Sequence, residues 1–117
     1  MSYVESFLMP VPSDQRAAYL THAGAMGEEM KTRGALLVSE CWGTNVPDGT
    51  LTSMPLAVKL EAGETVVFGW VVWPDRATRD AAWEAMMADE TLAAEMRDMP
   101  FDGRRMIFGG FEMILDL

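Results

Sequence analysis

Sulfur and imidazole ligands are scarce in this chain of 117 residues, which contains one cysteine, Cys41, and one histidine, His22. A single cysteine excludes an internal disulfide and any metal site built from several cysteines. The His-Glu-x-x-His pattern of zinc enzymes and the Gly-x-Ser-x-Gly pattern of serine hydrolases are both missing. We therefore predict neither a bound metal nor a cofactor.

Basic residues are also few, since nine Lys and Arg stand against 18 Asp and Glu and give a net charge of −9. Nucleic acids and anionic membranes bind proteins through clusters of positive charge, so we expect neither as a partner. No apolar run reaches the length of about 20 residues that crosses a bilayer, and the first residues do not resemble a secretory signal. We expect one cytoplasmic domain covering residues 1–117.

Four segments alternate between apolar and polar residues, or are apolar throughout, as strands do. They are residues 3–9, 35–42, 65–73 and 105–115. We expect Pro10 and Pro12 to end the first strand, because proline has no N–H to donate within a sheet. The third segment is apolar on both faces, which is typical of a central strand.

Apolar residues spaced three and four apart predict helices in most of the remaining sequence. These helices are expected over residues 14–33, from Asp75 to about residue 89, and over residues 91–97, with a short helical turn within residues 54–60. Ser13 and Asp75 are placed to cap the first two helices, and Gly34 suits the left-handed conformation after the first. The polar connection over residues 43–55 is long for a loop, and we interpret it as a candidate lid.

The element order β-α-β-β-α-β predicts an α+β, ferredoxin-like fold, in which helices cover one face of a four-stranded antiparallel sheet. Phe68 and Trp70 lie close together in the third strand, and we expect Trp70 to be buried against one side of the sheet. A large exposed apolar patch is rare on a soluble monomer, so we predict a homodimer that packs sheet against sheet. At about 25 cal/mol per Å² this burial contributes over 10 kcal/mol before the costs of association.

Several short motifs carry a resemblance to a known family. They are Cys41–Gly43, Val46–Gly49, Arg79–Ala81, Met86–Asp89, Met99–Gly103 and Arg105–Phe111. Together they resemble the short bacterial proteins of the YbaA type, a family of unknown function, over nearly the whole chain. The resemblance implies the dimeric α/β barrel fold, whose wider superfamily includes cofactor-free monooxygenases, haem-degrading enzymes and small-molecule isomerases. Because one fold hosts many activities, the resemblance implies no single reaction.

Two titratable residues are candidates for catalytic acid-base chemistry. His22 borders the apolar stripe of the first helix, where a neutral imidazole can transfer a proton; the alternative is a boundary histidine without a role. Glu40, like Glu5 and Glu112, lies in a predicted strand among aromatic or aliphatic residues. A carboxylate that faces the interior must be paired or protonated, whereas one at the rim needs no partner. We interpret Cys41 as a buried structural thiol, because no basic residue lies near it in sequence.

Three further residues are candidates for ligand binding. Arg105 can hold an anionic group through two hydrogen bonds, Asp102 can orient Arg105, and Trp42 offers a surface for stacking. The alternative for Arg105 is a salt bridge within its turn or to a partner subunit. We expect the three to converge with His22 where the last strand begins, beside the first helix and the 43–55 loop.

Functions of two classes stay open at this point. In the first, the protein binds a small apolar or aromatic molecule in or at the mouth of a dimeric barrel, and a cofactor-independent monooxygenase or isomerase reaction is the catalytic alternative. In the second, it is a non-catalytic structural dimer. A cavity with polar groups would favour the first class, and an interior filled by Trp70, Phe68 and methionines would favour the second.

Overall fold

The computed structural model describes all 117 residues. The strands are β1 (Tyr3–Pro12), β2 (Leu37–Trp42), β3 (Glu64–Trp73) and β4 (Ile107–Glu112). They form one sheet in the order β2-β3-β1-β4, and every neighbouring pair is antiparallel. This topology confirms the predicted ferredoxin-like fold.

Three helices form a layer on one face of this sheet. They are α1 (Arg16–Thr32), α3 (Arg76–Ala88) and α4 (Glu90–Arg97), and a fourth, short helix, α2 (Met54–Ala57), lies outside this layer. Residues of α1, α3 and α4 share the largest apolar core with β3, in which Trp73 is fully buried. The segment after α2 instead packs on the opposite face, where Val58 contacts Leu8 and Val66.

The end of β1 differs from the prediction, because the strand continues through Pro10 and Pro12. Both prolines pair with β3, opposite Val66 and Glu64, and both lie beyond Leu8, the last residue of β1 that pairs with β4. Past Leu8, β1 is therefore an edge strand on the side of β4. A proline is tolerated there because no neighbouring carbonyl needs its N–H.

Most predicted helix ends are confirmed by their capping contacts. Asp75 Oδ1 accepts a hydrogen bond from the Thr78 N–H at 2.7 Å, and Gly34 has a φ of +108°. The predicted cap at Ser13 is wrong, since α1 begins only after a 3-10 turn over Ser13–Gln15. The Ser13 N–H donates to the Gly63 carbonyl and its Oγ lies 2.7 Å from Thr65 Oγ1, so Ser13 is still held by the sheet.

The face of the sheet that carries no helices, here called the open face, is apolar but only partly covered. Its exposed side chains include Leu37, Phe68, Ile107 and Phe111. Trp70 also lies on the open face, with its ring centroid 5.6 Å from that of Phe68, and is half-buried rather than buried as predicted. Cys41 is exposed beside it on the edge strand β2, so the prediction of a buried thiol is wrong for the single chain. Both differences arise because the helices cover the other face.

Two adjacent methionines in α3 allow a test of which side of this helix faces the core. Met86 is 0% exposed and Met87 is 49% exposed. We expect Met86→Ala to lower the free energy of unfolding by about 2–5 kcal/mol, because it leaves a cavity in the core. Met87→Ala, the matched control, should change it by about 0.5 kcal/mol or less. Urea denaturation measures both, and equal losses would contradict the orientation of α3.

Candidate functional site

A partly enclosed cavity of about 150 Å³ lies between the helical layer and the sheet. Its lining is mostly apolar and includes six methionines: Met9, Met26, Met30, Met96, Met99 and Met106. Three titratable side chains, Tyr19, His22 and Glu40, also line it. The cavity therefore lies within one chain, on the helical side of the sheet, and not between the open faces of two chains, where the barrel prediction placed it.

Two features position Glu40 in this cavity. They are a hydrogen bond from Tyr19 and the space left by the absent side chain of Gly69. The Tyr19 hydroxyl donates to Glu40 Oε2 at 2.8 Å. Gly69 lies opposite Glu40 in the sheet, and a Cβ atom at Gly69 would stand 2.7 Å from the same oxygen. The glycine thus leaves the space that the carboxylate occupies, while Glu40 Oε1 has no protein donor and is free to accept from a ligand.

The surroundings of Glu40 favour its protonated form. Part of the residue is exposed at the sheet edge, but burial of its carboxyl against apolar walls raises its pKa, and the hydrogen bond from Tyr19 opposes this effect only in part. Burial and the charge of Glu40 also raise the pKa of Tyr19, so its hydroxyl stays a donor at neutral pH.

His22 lies one turn after Tyr19 on α1, and both therefore face the same side of the helix. Burial lowers the pKa of His22, while the nearby Glu95 and Asp98 carboxylates raise it to a smaller extent. The imidazole is accordingly neutral at pH 7, with one nitrogen able to donate and the other able to accept. The two predicted catalytic candidates, His22 and Glu40, thus line one cavity.

Arg105 and Asp102 do not line the cavity. The Arg105 guanidinium makes two hydrogen bonds to Glu64, at 2.8 and 2.6 Å, and contacts Asp102 Oδ2 at 3.2 Å. Its Nη1 also donates to the Lys59 carbonyl at 3.0 Å. Arg105 therefore ties the turn before β4 to the start of β3, which is the salt-bridge alternative, and it does not line the cavity that His22 lines.

Trp42 and the 43–55 loop also lie outside the cavity lining. The ring of Trp42 is covered by Arg16, whose guanidinium carbon is 5.3 Å from the ring centroid. Within the loop, the Gly43 N–H donates to the Val66 carbonyl, and Met54, at the end of the loop, lines a groove on the open face. The predicted ligand-binding roles of Trp42, Asp102 and Arg105, and the lid, stay predictions without a cavity contact.

The carboxylate of Glu5 is the buried charge that the sequence did not single out. It is 3% exposed and accepts from Trp73 Nε1 at 2.8 Å, Trp83 Nε1 at 2.7 Å and Arg79 Nη2 at 3.0 Å. Trp83 lines the cavity, so these hydrogen bonds fix part of its wall. The sequence did carry a signal for these donors, because Arg79 and Trp83 are four residues apart and therefore lie on one face of α3. Glu112, the last residue of β4, is exposed.

No group of three or more His, Cys, Asp and Glu side chains is arranged to hold a metal ion. None of the helices is both long and apolar enough to cross a membrane. The cavity lined by Glu40, Tyr19 and His22 is the candidate site because three titratable side chains meet there within apolar walls.

The raised pKa of Glu40 predicts a stability effect that depends on pH. The folded state disfavours the ionised carboxyl, so its destabilising contribution is absent below the unfolded pKa, near 4.5, and appears as pH rises through the folded pKa. We expect Glu40→Gln to raise the melting temperature at pH 7 by about 2–3 °C, as roughly 0.5 kcal/mol does in a domain of this size. At pH 4 the difference should vanish. Glu28→Gln, an exposed change on α1, is the control, and a difference independent of pH would contradict the assignment.

Comparisons with known proteins agree with this fold and place the chain among relatives. The family model of DUF1428, described as a protein of unknown function, matches residues 2–103. The uncharacterized protein YbaA of Escherichia coli K12 is 46% identical over 116 residues, which are 99% of each chain, and YbaA of Shigella flexneri matches to the same extent.

A solved structure supports the fold independently. It is the crystal structure of a dimeric ferredoxin-like protein from an uncultured marine organism, and the match covers 100% of both chains with a TM-score of 0.56. The sequences are only 15% identical, so this likeness concerns the fold alone. By the family match and the identity to YbaA over almost its full length, the chain belongs to the DUF1428 family of proteins of unknown function.

Proposed function

We propose that this protein binds a small molecule of one ring in the cavity between α1 and the sheet. The observation that carries the proposal is Glu40, whose carboxyl has one oxygen without a protein partner in an otherwise apolar cavity of about 150 Å³. In another protein an apolar cavity of about this size holds one benzene molecule. A single substituted ring is therefore the ligand size that fits.

The charges around the cavity favour a ligand that donates a hydrogen bond. No lysine or arginine lines it. Arg105 is committed to Glu64, and Arg79 to Glu5, so neither is available to neutralise an anion. A ligand carboxylate would face Glu40 without a partner, whereas a hydroxyl or amine can donate to Glu40 Oε1. We infer that the ligand is neutral or cationic.

The raised pKa of Glu40 also supports a functional role. Burial raises the pKa of its carboxyl, and the hydrogen bond from Tyr19 lowers it to a smaller extent. Ionisable groups with perturbed pKa values concentrate at functional sites. Glu5, which is more deeply buried, makes three hydrogen bonds and has no oxygen left for a ligand.

Proton transfer is the second candidate function, favoured by the opposite pKa shifts of two groups in one cavity. Burial raises the pKa of Glu40 and lowers that of His22, so the two pKa values move towards each other. Glu40 is then the candidate base, and the neutral His22 is the candidate hydrogen-bond donor. In an isomerisation of a β,γ-unsaturated ketone, the Glu40 carboxylate takes a proton from the carbon beside the carbonyl and returns it to the γ carbon, while the carbon–carbon double bond moves from the β,γ to the α,β position. The His22 N–H meanwhile donates to the carbonyl oxygen. This reaction needs no oxidant.

We also propose that the protein is a homodimer joined through its open face. Phe68 and Phe111 are 37% and 57% exposed there, and Ile107, which lines the same groove, is exposed as well. Contiguous apolar surface of this kind is typical of an interface. The match to a dimeric protein of the same fold supports the proposal. Because the cavity lies on the helical side, such a dimer leaves it unobstructed.

The binding proposal is tested by titrating the protein with phenol, benzylamine, toluene and benzoate while recording the NMR signals of the methionine methyl groups. We expect phenol and benzylamine to shift signals of the cavity methionines, and benzoate to bind at least about tenfold more weakly. Glu40→Gln should weaken benzylamine binding about tenfold or more, since a hydrogen bond to a charged group is worth about 1.5–3 kcal/mol. Glu84→Gln, an exposed change on α3 away from the cavity, is the control. If no probe shifts these signals, the binding proposal fails and the non-catalytic dimer gains support.

The dimer proposal predicts a mass of about 26 kDa by light scattering at micromolar concentration, twice the 13.0 kDa of one chain. Phe68→Asp should halve the mass, because a charge on the open face would be buried without a partner. Met87→Asp places the same charge on the helical side and should leave the mass unchanged. A wild-type mass near that of one chain would refute the dimer.

A further inference from the structure

A cleft of about 450 Å³ lies along the edge of the sheet between α1 and the edge strand β2. Its lining consists of Leu20, Ala23, Gly24, Gly27, Glu28, Lys31, Leu37, Val38 and Glu40. Four of these residues, Ala23, Gly27, Val38 and Glu40, also line the cavity. The cleft and the cavity are thus separated by one layer of residues.

This layer contains little that is bulky. Gly27 has no side chain, and a Cβ atom built there would lie 3.2 Å from Val38 Cγ1. The Glu40 carboxyl is held to one side by its hydrogen bond to Tyr19 and by its position over Gly69. The side chain free to move in the layer is therefore that of Val38, and the space at Gly27 is what lets it turn. Rotamer changes of this kind take nanoseconds or less at partly exposed positions.

We propose that ligands reach the cavity through the α1–β2 cleft, with Val38 as the gate and Gly27 as the residue that leaves it room to open. The inference rests on the proposed binding function and adds the route to it. The charged residues of the cleft fit the proposed ligand class. The cleft carries one cation, Lys31, whose Nζ donates to the Leu36 carbonyl at 3.2 Å, against two carboxylates, Glu28 and Glu40, so negative charge is in excess. This excess repels an anion and admits a neutral or cationic ring.

Two glycine substitutions in α1 form a matched test of the route. Gly27→Ala places a methyl group against Val38, whereas a Cβ atom at Gly24 has nothing within 4 Å. Both changes favour the helix to the same degree, so their effects on α1 itself are alike. Exchange of 4-fluorophenol, followed by fluorine NMR, gives the association and dissociation rates for the wild type and each variant.

In Gly27→Ala we expect both rates to fall about tenfold with little change in affinity, which corresponds to a barrier about 1.4 kcal/mol higher. Gly24 also lines the cleft, but a Cβ atom there meets nothing within 4 Å, so Gly24→Ala should keep the wild-type rates. The double variant Gly27→Ala, Val38→Ala should recover them, because it removes the methyl groups that the new side chain blocks.

Three results would overturn the route. Unchanged rates in Gly27→Ala, with normal binding by the wild type, would refute the cleft as the entrance and leave the binding function standing. A weaker affinity caused by faster dissociation alone would mean that Gly27 shapes the cavity and does not gate it. Failure of the wild type to bind any of the single-ring probes would remove the binding function, and the route with it.

Discussion

The helices that connect the strands, α1 and the pair α3 and α4, cover only one face of the four-stranded sheet. The positions of the core, the cavity and the exposed apolar surface all follow from that constraint. The covered face holds the fully buried Trp73 and Met86, and the cavity lies where α1 stands over β2 and β1. The open face keeps Phe68 and Phe111 exposed. The two proposals therefore use opposite sides of one chain, with the small molecule on the helical side and the second copy of the chain on the open face.

Two carboxylates on the helical side of the sheet, Glu5 and Glu40, differ in the hydrogen bonds that they receive. This difference separates a structural role for Glu5 from the chemical role proposed for Glu40. Glu5 accepts hydrogen bonds from two indoles and one guanidinium, so its charge is fully compensated. Glu40 receives one hydrogen bond, from Tyr19, and keeps an oxygen free. Burial without compensation makes a group reactive, whereas burial with full compensation makes it a fixed part of the core.

Local signals in the sequence were sufficient for most of the fold but not for the site. Asp75 and Gly34 act through residues within a few positions, and their predicted roles are confirmed. The ion pair of Arg105 could not be read from the sequence, because its partner, Glu64, is 41 residues away. Glu5 and Arg79 are separated by 74 residues. A periodic pattern reveals which face of a strand or helix a side chain occupies, but it does not reveal which distant residue that side chain contacts. The contacting residue decides whether a charged group forms an ion pair or stays free to bind a ligand.

The six methionines around the cavity determine what kind of selectivity it can have. A thioether chain has three rotatable bonds and a polarisable sulfur, so a wall built from such chains adapts to the outline of its contents. A wall of this kind limits the volume of a bound molecule but does not fix its shape. Isomers of equal bulk would then be told apart only by where their polar atoms fall relative to Glu40 and His22, and a series of related compounds, rather than one metabolite, would fit the same interior.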